Sequence, residues 1–486
     1  FDEELRTAWG KLDDARKADL SRRYFEARQK YVEGFVSGPV TDTLRVRLAA
    51  RYSDSVGAFT NSASPLYPSP VPGLNNRSNG RRRGGAETLG VRGTVDWAPT
   101  DVLNFEVKAG FSHVRDGGPT DLVERICGAG RTTPSPSSPA PGVSIPASPN
   151  TDCAVNGVAD SAAIPTEIAR ANYRYARDGQ MYADFKSQSV ILKSEADTDL
   201  FNVTSLTSYY HFNQQDANNV SGESYPGNFT QYADFKQFSQ ELRIQSQFSG
   251  PFNILAGAFY SHGSFEFNTD AYILPFPPPP GGTYVTFKRD NGFSSNSLSG
   301  FLQGTLTLGQ FEMAAGARWS NEERTSYQRS LAANPSIVAR VGGVFLPAFP
   351  GGIVLNDKFR DTNLSPEFTV RYKPNNDTSF YAAYKQGFKA GGFNPVPPAN
   401  SIGGGQFGRP VPYDPEKVDS YEAGIKYQTA DRRFRLNAAI FRAKYSDMQL
   451  PQFFPGTTTS YTSNASSADI KGIEMEPTWQ PVESFQ

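Results

Sequence analysis

Apolar and polar residues alternate with period two along most of this chain. Leu44, Val46, Leu48, Ala50 and Tyr52 interleave with Arg45, Arg47 and Arg51. Leu89, Val91, Val95 and Trp97 stand against Arg92, Thr94 and Asp96, and Leu103 to Phe111 repeat the pattern around Asn104, Glu106 and Lys108. Further on, Leu242, Ile244 and Phe248 oppose Glu241, Arg243, Gln245 and Gln247; Met313, Ala315, Ala317 and Trp319 oppose Glu312 and Arg318. Tyr421, Ala423, Ile425 and Tyr427 then oppose Glu422 and Lys426, and Phe434, Leu436, Ala438 and Ile440 oppose Arg433, Arg435 and Asn437. Each segment reads as a strand with one apolar and one charged face.

Alternation fits both a soluble sandwich and a membrane barrel, because only the neighbour of the apolar face differs. The connections separate the two. Short links fall at Gly38–Asp42, Ala98–Thr100, Glu195–Thr198, Ser249–Pro251, Gly309–Gln310, Pro374–Asn376 and Thr429–Asp431. Between these hairpins lie long polar stretches at about 54–87, 113–180, 213–235, 267–293, 326–358, 389–416 and 447–468. A strict alternation of tight turns and long loops is the habit of outer-membrane barrels. A sandwich with Greek-key crossovers has no reason to keep it.

Five outward positions span about ten residues, roughly 34 Å of strand, and at 45° this rises about 24 Å, close to the apolar band of such a barrel. Tyr52, Trp97, Phe111, Trp319, Tyr372, Tyr427 and Tyr445 lie near strand ends, as an interfacial girdle requires. The pattern predicts fifteen clear strands and a sixteenth near residues 3–10. The charged link 11–28 has a helical composition but is read as extended or loop.

Composition supports an all-β chain with long polar loops: aromatic residues are 13%, with 44 Gly and 36 Pro. No apolar run approaches the roughly 18 residues of a membrane-spanning helix, which leaves a barrel open. A formal net charge of −1 offers nothing to nucleic acid. Phe1 opens the chain without a leader, so the start of the gene product is expected to be missing or removed. The two cysteines, Cys127 and Cys153, share one Pro/Ser-rich stretch. They are two unrelated thiols or, as favoured for a secreted chain, a disulfide that contributes roughly 3–4 kcal/mol.

Candidate chemistry is sparse. His113, His211 and His262 lack metal-ligand spacing and read as polar positions at strand ends or in the lumen. The glycines Gly391–Gly392 and Gly403–Gly405 lie beyond a strand end, where flexible loop geometry explains them. Arg77, Arg81, Arg82 and Arg83 form a basic cluster in the stretch 54–87. It is either a solvated charge run or a grip on carboxylate, catecholate or phosphate oxygens. Inward charges such as Arg45, Arg47, Arg92, Glu106, Lys108, Arg243, Arg318 and Lys426 would face a wet lumen or whatever fills it. Phe276 and Pro277–Pro280 share a loop, and Phe393 and Tyr413 stand in another; these aromatics are candidates for a ligand platform or ordinary exposed rings.

Several strings resemble those of TonB-dependent receptors, chiefly the iron-complex receptors of proteobacteria. YAAYKQGFKAGGFN at Tyr381–Asn394 is the most specific, followed by PEKVDSYEAGIK at Pro415–Lys426, AIFRAKYSDMQ at Ala439–Gln449 and NASSADIKGIEME at Asn464–Glu476. FSQELRIQS at Phe238–Ser246 and VEGFVSGPVTDTLRVRLAARY at Val32–Tyr52 complete the order, and the resemblance covers most of 32–479.

The resemblance implies a transmembrane, antiparallel, up-and-down β-barrel. Such barrels have about twenty-two strands around a plug. No plug is recognised here and about six strands are wanting, so residues 1–486 are expected to be a barrel domain truncated at both ends. The implied function is energy-coupled uptake of a scarce ligand across the outer membrane, most simply a ferric siderophore. TonB would pull on the plug, and outer-membrane lipid would surround the wall. Lys389, Phe393 and Tyr413 join the arginine cluster as candidate ligand contacts. No catalytic site, cofactor or metal is expected. A passive porin-like channel and a secreted β-rich adhesin are the alternatives.

Overall fold

In the computed structural model the described residues lie between 29 and 481, without 63–65, 69–74, 79, 81, 118–126, 128–129, 133–134, 136, 141–142, 146–152, 161, 220–226, 274–284, 334–351, 353, 394–411, 454–459 and 465. The expected strand near 3–10 and the link 11–28 fall outside them.

Fifteen long strands carry the fold. They are β1 (Gln29–Pro39), β2 (Leu44–Ser55), β3 (Ala86–Trp97), β4 (Leu103–Asp116) and β5 (Tyr182–Asp197). Next come β6 (Phe201–Asn219), β7 (Gly227–Ser246), β8 (Phe252–Ile273), β9 (Phe287–Leu308) and β10 (Phe311–Ala333). The last are β11 (Val354–Tyr372), β12 (Thr378–Lys389), β13 (Glu416–Gln428), β14 (Phe434–Ser446) and β15 (Ala468–Trp479). Each pairs with its neighbours in chain order, always antiparallel, in one sheet. Tight turns join β1–β2, β3–β4 and onward in pairs, and long connections alternate with them. This is the up-and-down wall of a membrane barrel.

The register fixes the faces. Leu48 pairs Gly93, Val95 pairs Val107, Val107 pairs Leu192, and Leu302 pairs both Ala256 and Ala317. These residues share the outward face. Leu48 is 52% exposed, Leu302 60%, Leu364 58% and Ile440 58%, so no second sheet among the described residues covers it. An apolar face left this open is stable only against hydrocarbon. Tyr52, Trp97, Phe111, Trp319, Tyr372 and Tyr427 stand on the outward face, as a girdle should. Tyr445 does not: Leu436, Ala438 and Ile440 commit the even positions of β14 outward, so Tyr445 turns inward opposite Val418 and Ala468.

Several strands run past the expected boundaries. Residues 213–219, 227–235, 267–273, 287–293, 326–333 and 354–358, read from sequence as loop, continue the strands. The 23 residues of β10 make about 78 Å of strand, rising about 55 Å at 45°, roughly twice the apolar band. Beyond the hydrocarbon neither face needs to be apolar, so alternation fades while the backbone ladder continues.

The long β4–β5 connection also holds an unexpected helix, α1 (Thr166–Asn172), opened by Pro165 with Glu167 in its first turn. It lies on the outward face of the strand extensions. Ile164, Ile168, Ala169, Tyr173, Ala176 and Met181 bury themselves with Tyr182, Ala217 and Val285. Arg174 anchors the segment by bonding Asp270 at 2.6 Å and Asp290 at 2.6 Å, and the Asp270 side chain is fully buried. Burial works against the Arg174 charge, yet the two carboxylates prevail and raise its pKa.

Candidate functional site

Two features line the inward face. Nearer the tight turns, Arg47, Arg51, Arg92 and Lys108 border a concavity of about 1100 Å³ together with Glu33, Ser112, Ser187 and Ser189. Arg47 lies over the Phe35 ring at 4.1 Å, Arg51 pairs loosely with Glu33 at 3.7 Å, and Lys108 bonds Glu106 at 2.8 Å. Cations outnumber carboxylates on this facet, so it attracts anions.

Toward the long-loop end the inward face becomes aromatic. Phe212 pairs Phe235, Phe235 pairs Phe265, and Phe265 pairs Phe293. Their ring centroids follow one another at 5.5, 6.5 and 5.3 Å. Phe185 extends the row at 5.6 Å from Phe212, and Tyr210 and Phe267 flank it. Cross-strand aromatic pairs contribute about 0.5–1.5 kcal/mol each. Here they also leave a ladder of π-faces toward the lumen. Sequence reasoning missed it, because each Phe lies in a segment read as loop or barely inside a strand; only the register aligns them.

Four residues above the ladder, Asp216, Gln231, Thr269 and Arg289 form a second inward row. Burial pushes the Asp216 carboxyl up to about 6, against a hydrogen bond from Gln214 that lowers it. Burial alone brings the Arg289 guanidinium down to about 9, and the group lies over the Phe287 ring at 4.2 Å. Three strand spacings, about 14 Å, keep this acid and base from pairing.

Lys389, Phe393 and Tyr413 come together where β12 exits. Gly392 pairs Tyr413 and Phe393 pairs Pro412. Phe393 meets Phe359 edge-on at 6.5 Å and shares a small cavity with Phe265, Phe267 and Phe293. The exit therefore adjoins the end of the ladder. Close packing, rather than the flexible geometry expected, explains Gly391 and Gly392. A Cβ on Gly391 would stand 2.4 Å from the Tyr413 carbonyl oxygen and 2.6 Å from the Phe359 ring; one on Gly392 would stand 2.8 Å from Arg324 Nη1. Lys389 is exposed, and its carbonyl accepts from Gln449 Nε2. Gln449 and Asn464, which hold this exit in place, were not singled out beforehand, although each stands inside a family-like string.

The arginine cluster sits apart, in the β2–β3 connection. Arg82 and Arg83 pair Thr60 and Phe59 in a small sheet completed by Val158–Ala159. Arg82 donates to Thr60 Oγ1 at 3.4 Å, and Arg83 is buried. Arg77 pairs Leu66 and Ala163 through its backbone, while Arg81 and Phe276 lie outside the described residues. Cys127 and Cys153 form a disulfide with Cα atoms 5.3 Å apart. The three histidines face outward rather than into the lumen: His113 bonds Asp184, His211 bonds Asp234 and His262 bonds Asn296.

Residues 129–486 match a family model described as TonB dependent receptor-like, beta-barrel. The pesticin receptor of Yersinia enterocolitica is 27% identical over 248 residues, which cover 51% of this chain and 32% of that protein. The ferric yersiniabactin uptake receptor FyuA from Yersinia pestis has a similar structure, with a TM-score of 0.63 at 17% identity, over 94% of this chain and 57% of that one. The siderophore receptor PiuA from Acinetobacter baumannii gives 0.58 at 12% identity, covering 94% and 60%. At such identities the structural likeness speaks for the fold.

Proposed function

Because the chain belongs to the TonB dependent receptor-like β-barrel family, we propose that it forms the wall of an energised receptor that takes up a ferric siderophore. The chain lies in the bacterial outer membrane, with its tight turns on the periplasmic side and its long connections outside. A plug domain fills the lumen in this reading, strands beyond the fifteen described complete the wall, and TonB acts through the plug.

The supporting observation is the pairing of two surfaces on one inward face. The phenylalanine ladder from Phe185 to Phe293 offers stacking area to the rings of a chelator near the mouth. The facet of Arg47, Arg51, Arg92 and Lys108 below favours an anionic complex once the plug has shifted. The names of the two similar structures, a ferric yersiniabactin uptake receptor and a siderophore receptor, make iron the first ligand to try. A copper transporter among the similar structures marks the breadth of the fold.

The test is radioactive iron uptake by an iron-limited Gram-negative host that lacks its own siderophore receptors and expresses the gene for this chain. A panel of ferric siderophores is offered with and without TonB. TonB-dependent uptake of one of them is the expected result. Uptake that ignores TonB would point to a passive channel, and growth that follows a sugar would remove iron from the reading.

A further inference from the structure

The outward face of β13–β15 changes abruptly from apolar to basic. Tyr427, Ile425, Ala423 and Tyr421 on β13, Leu436, Ala438 and Ile440 on β14, and Met475 and Ile473 on β15 form the apolar band. The next row up pairs Tyr421 with Arg442 and Arg442 with Lys471, and the row above pairs Asp419 with Lys444 and Lys444 with Asp469. Lys417 follows on β13. All four cations are exposed.

Both carboxylates in this patch already have partners. Tyr384 Oη and Gln386 Nε2 donate to Asp419 at 2.9 and 3.1 Å. Arg442 holds Asp469 through two bonds of 2.9 and 2.6 Å. Lys417, Lys444 and Lys471 form no ion pair among the described residues, and the patch carries four positive charges against two negative. Lys444 and Lys471 are diagonal neighbours on adjacent strands, about 7 Å apart between Cα atoms. A single phosphate group fits between two ammonium groups at that spacing.

The level of the patch names its partner. It starts one row above the hydrocarbon band on the long-loop side, where outer-leaflet headgroups sit. Lysines there attract anionic headgroups. We propose that Lys444 and Lys471, supported by Lys417 and Arg442, bind the phosphate of a phosphorylated glycolipid of the outer leaflet. The site faces away from the lumen and is independent of which ligand the receptor imports.

The chain is extracted from outer membranes in mild detergent, and co-purifying glycolipid is counted by native mass spectrometry. The wild type should retain it. The double variant Lys444→Gln/Lys471→Gln should retain about thirtyfold less, the loss expected for two headgroup lysines. Lys444→Arg/Lys471→Arg should restore binding, and inward-facing Lys193→Gln should leave it unchanged. Heat-modifiable gel mobility verifies folding; if the double variant fails there, Lys471→Gln alone should show about a fivefold loss. Glycolipid stripped of phosphate should not bind. Unchanged retention in the glutamine variants, equal binding of the stripped lipid, or full displacement by inorganic phosphate would overturn the assignment.

Discussion

Gln449 Nε2 donates to the carbonyl oxygen of Ala390 at 3.0 Å, across 59 residues of chain. The same amide donates to the Asp414 carbonyl at 3.0 Å, and the Gln449 backbone N–H donates to Glu416 Oε2 at 2.8 Å. One buried side chain thus closes both sides of the β12–β13 connection where Phe393 meets the ladder. Gln449→Leu keeps the bulk and removes the donor, which leaves the Ala390 carbonyl without it at about 1–3 kcal/mol, while the Asp414 carbonyl keeps its bond from Asn464 Nδ2. Hydrogen exchange at Gly391–Phe393 and Tyr413 should accelerate while the centres of β12 and β13 stay protected. Unchanged exchange would mean that the latch holds nothing.

A second anchor fastens the α1 segment to the outside of the wall. Arg174 bridges Asp270 and Asp290, and Lys288 approaches Asp270 at 4.0 Å. Asp270→Asn leaves the guanidinium short of a buried counter-charge, a change that costs about 3–5 kcal/mol where burial is complete. With Arg174 still 30% exposed, a smaller loss of about 1–3 kcal/mol is expected. Limited proteolysis should then cut between Pro165 and Met181 in the variant but not in the wild type, with strand content intact. Equal resistance of the two proteins would show that the apolar contacts of Ile164, Ile168 and Tyr173 suffice.

The membrane-level half of the wall was legible from residues such as Leu44–Tyr52 and Phe434–Ile440, because lipid on one side and water on the other impose period two. The upper half was not. Phe212, Phe235 and Phe265 are separated by 23 and 30 residues in sequence, and only hydrogen-bond register makes them neighbours. The α1 segment escaped notice because its apolar face is short and its partners, Ala217 at the end of β6 and Val285 before β9, are distant in sequence. Gly391 and Gly392 stood out as glycines, yet the reason for them lies in Phe359 and Arg324, which no local pattern points to.

Gly257 and Phe301 pair on the inward face, and the ring closes over the glycine. A Cβ on Gly257 would come within 2.4 Å of Phe301 Cζ and 2.6 Å of the Leu242 carbonyl oxygen. An aromatic ring so placed covers the bare backbone beside it. Gly257→Val should therefore cost about 1–3 kcal/mol through overpacking, although valine favours strands. Pairing it with Phe301→Ala should recover part of that loss, and urea midpoints of the refolded protein in vesicles would measure the coupling. Strict additivity of the two changes would show that the ring does not occupy the glycine's space.

Asp216 gives the extracellular rim a pH dependence whose sign can be worked out. Among the described residues its carboxyl is bonded by neutral groups, with Gln214 Nε2 donating at 2.9 Å and the Asn218 amide also bonded to it. Its cross-strand partners are Ala183 and Gln231, and Arg289 stands about 14 Å away by strand spacing. Burial raises the folded pKa to about 6, above the ordinary carboxylate range. A carboxyl shifted upward binds its proton more tightly when folded, so its contribution favours the folded state at acid pH. That contribution declines as pH rises from about 4 to about 6 and is flat above. Two pH units correspond to about 3 kcal/mol as an upper bound. Asp216→Asn cannot ionise and should be more stable than the wild type at pH 7.5, with the gap shrinking toward pH 4. Urea midpoints in vesicles across that range isolate the effect, because every other titrating group is common to both proteins. Parallel profiles would mean that water reaches Asp216 and that its charge is never desolvated.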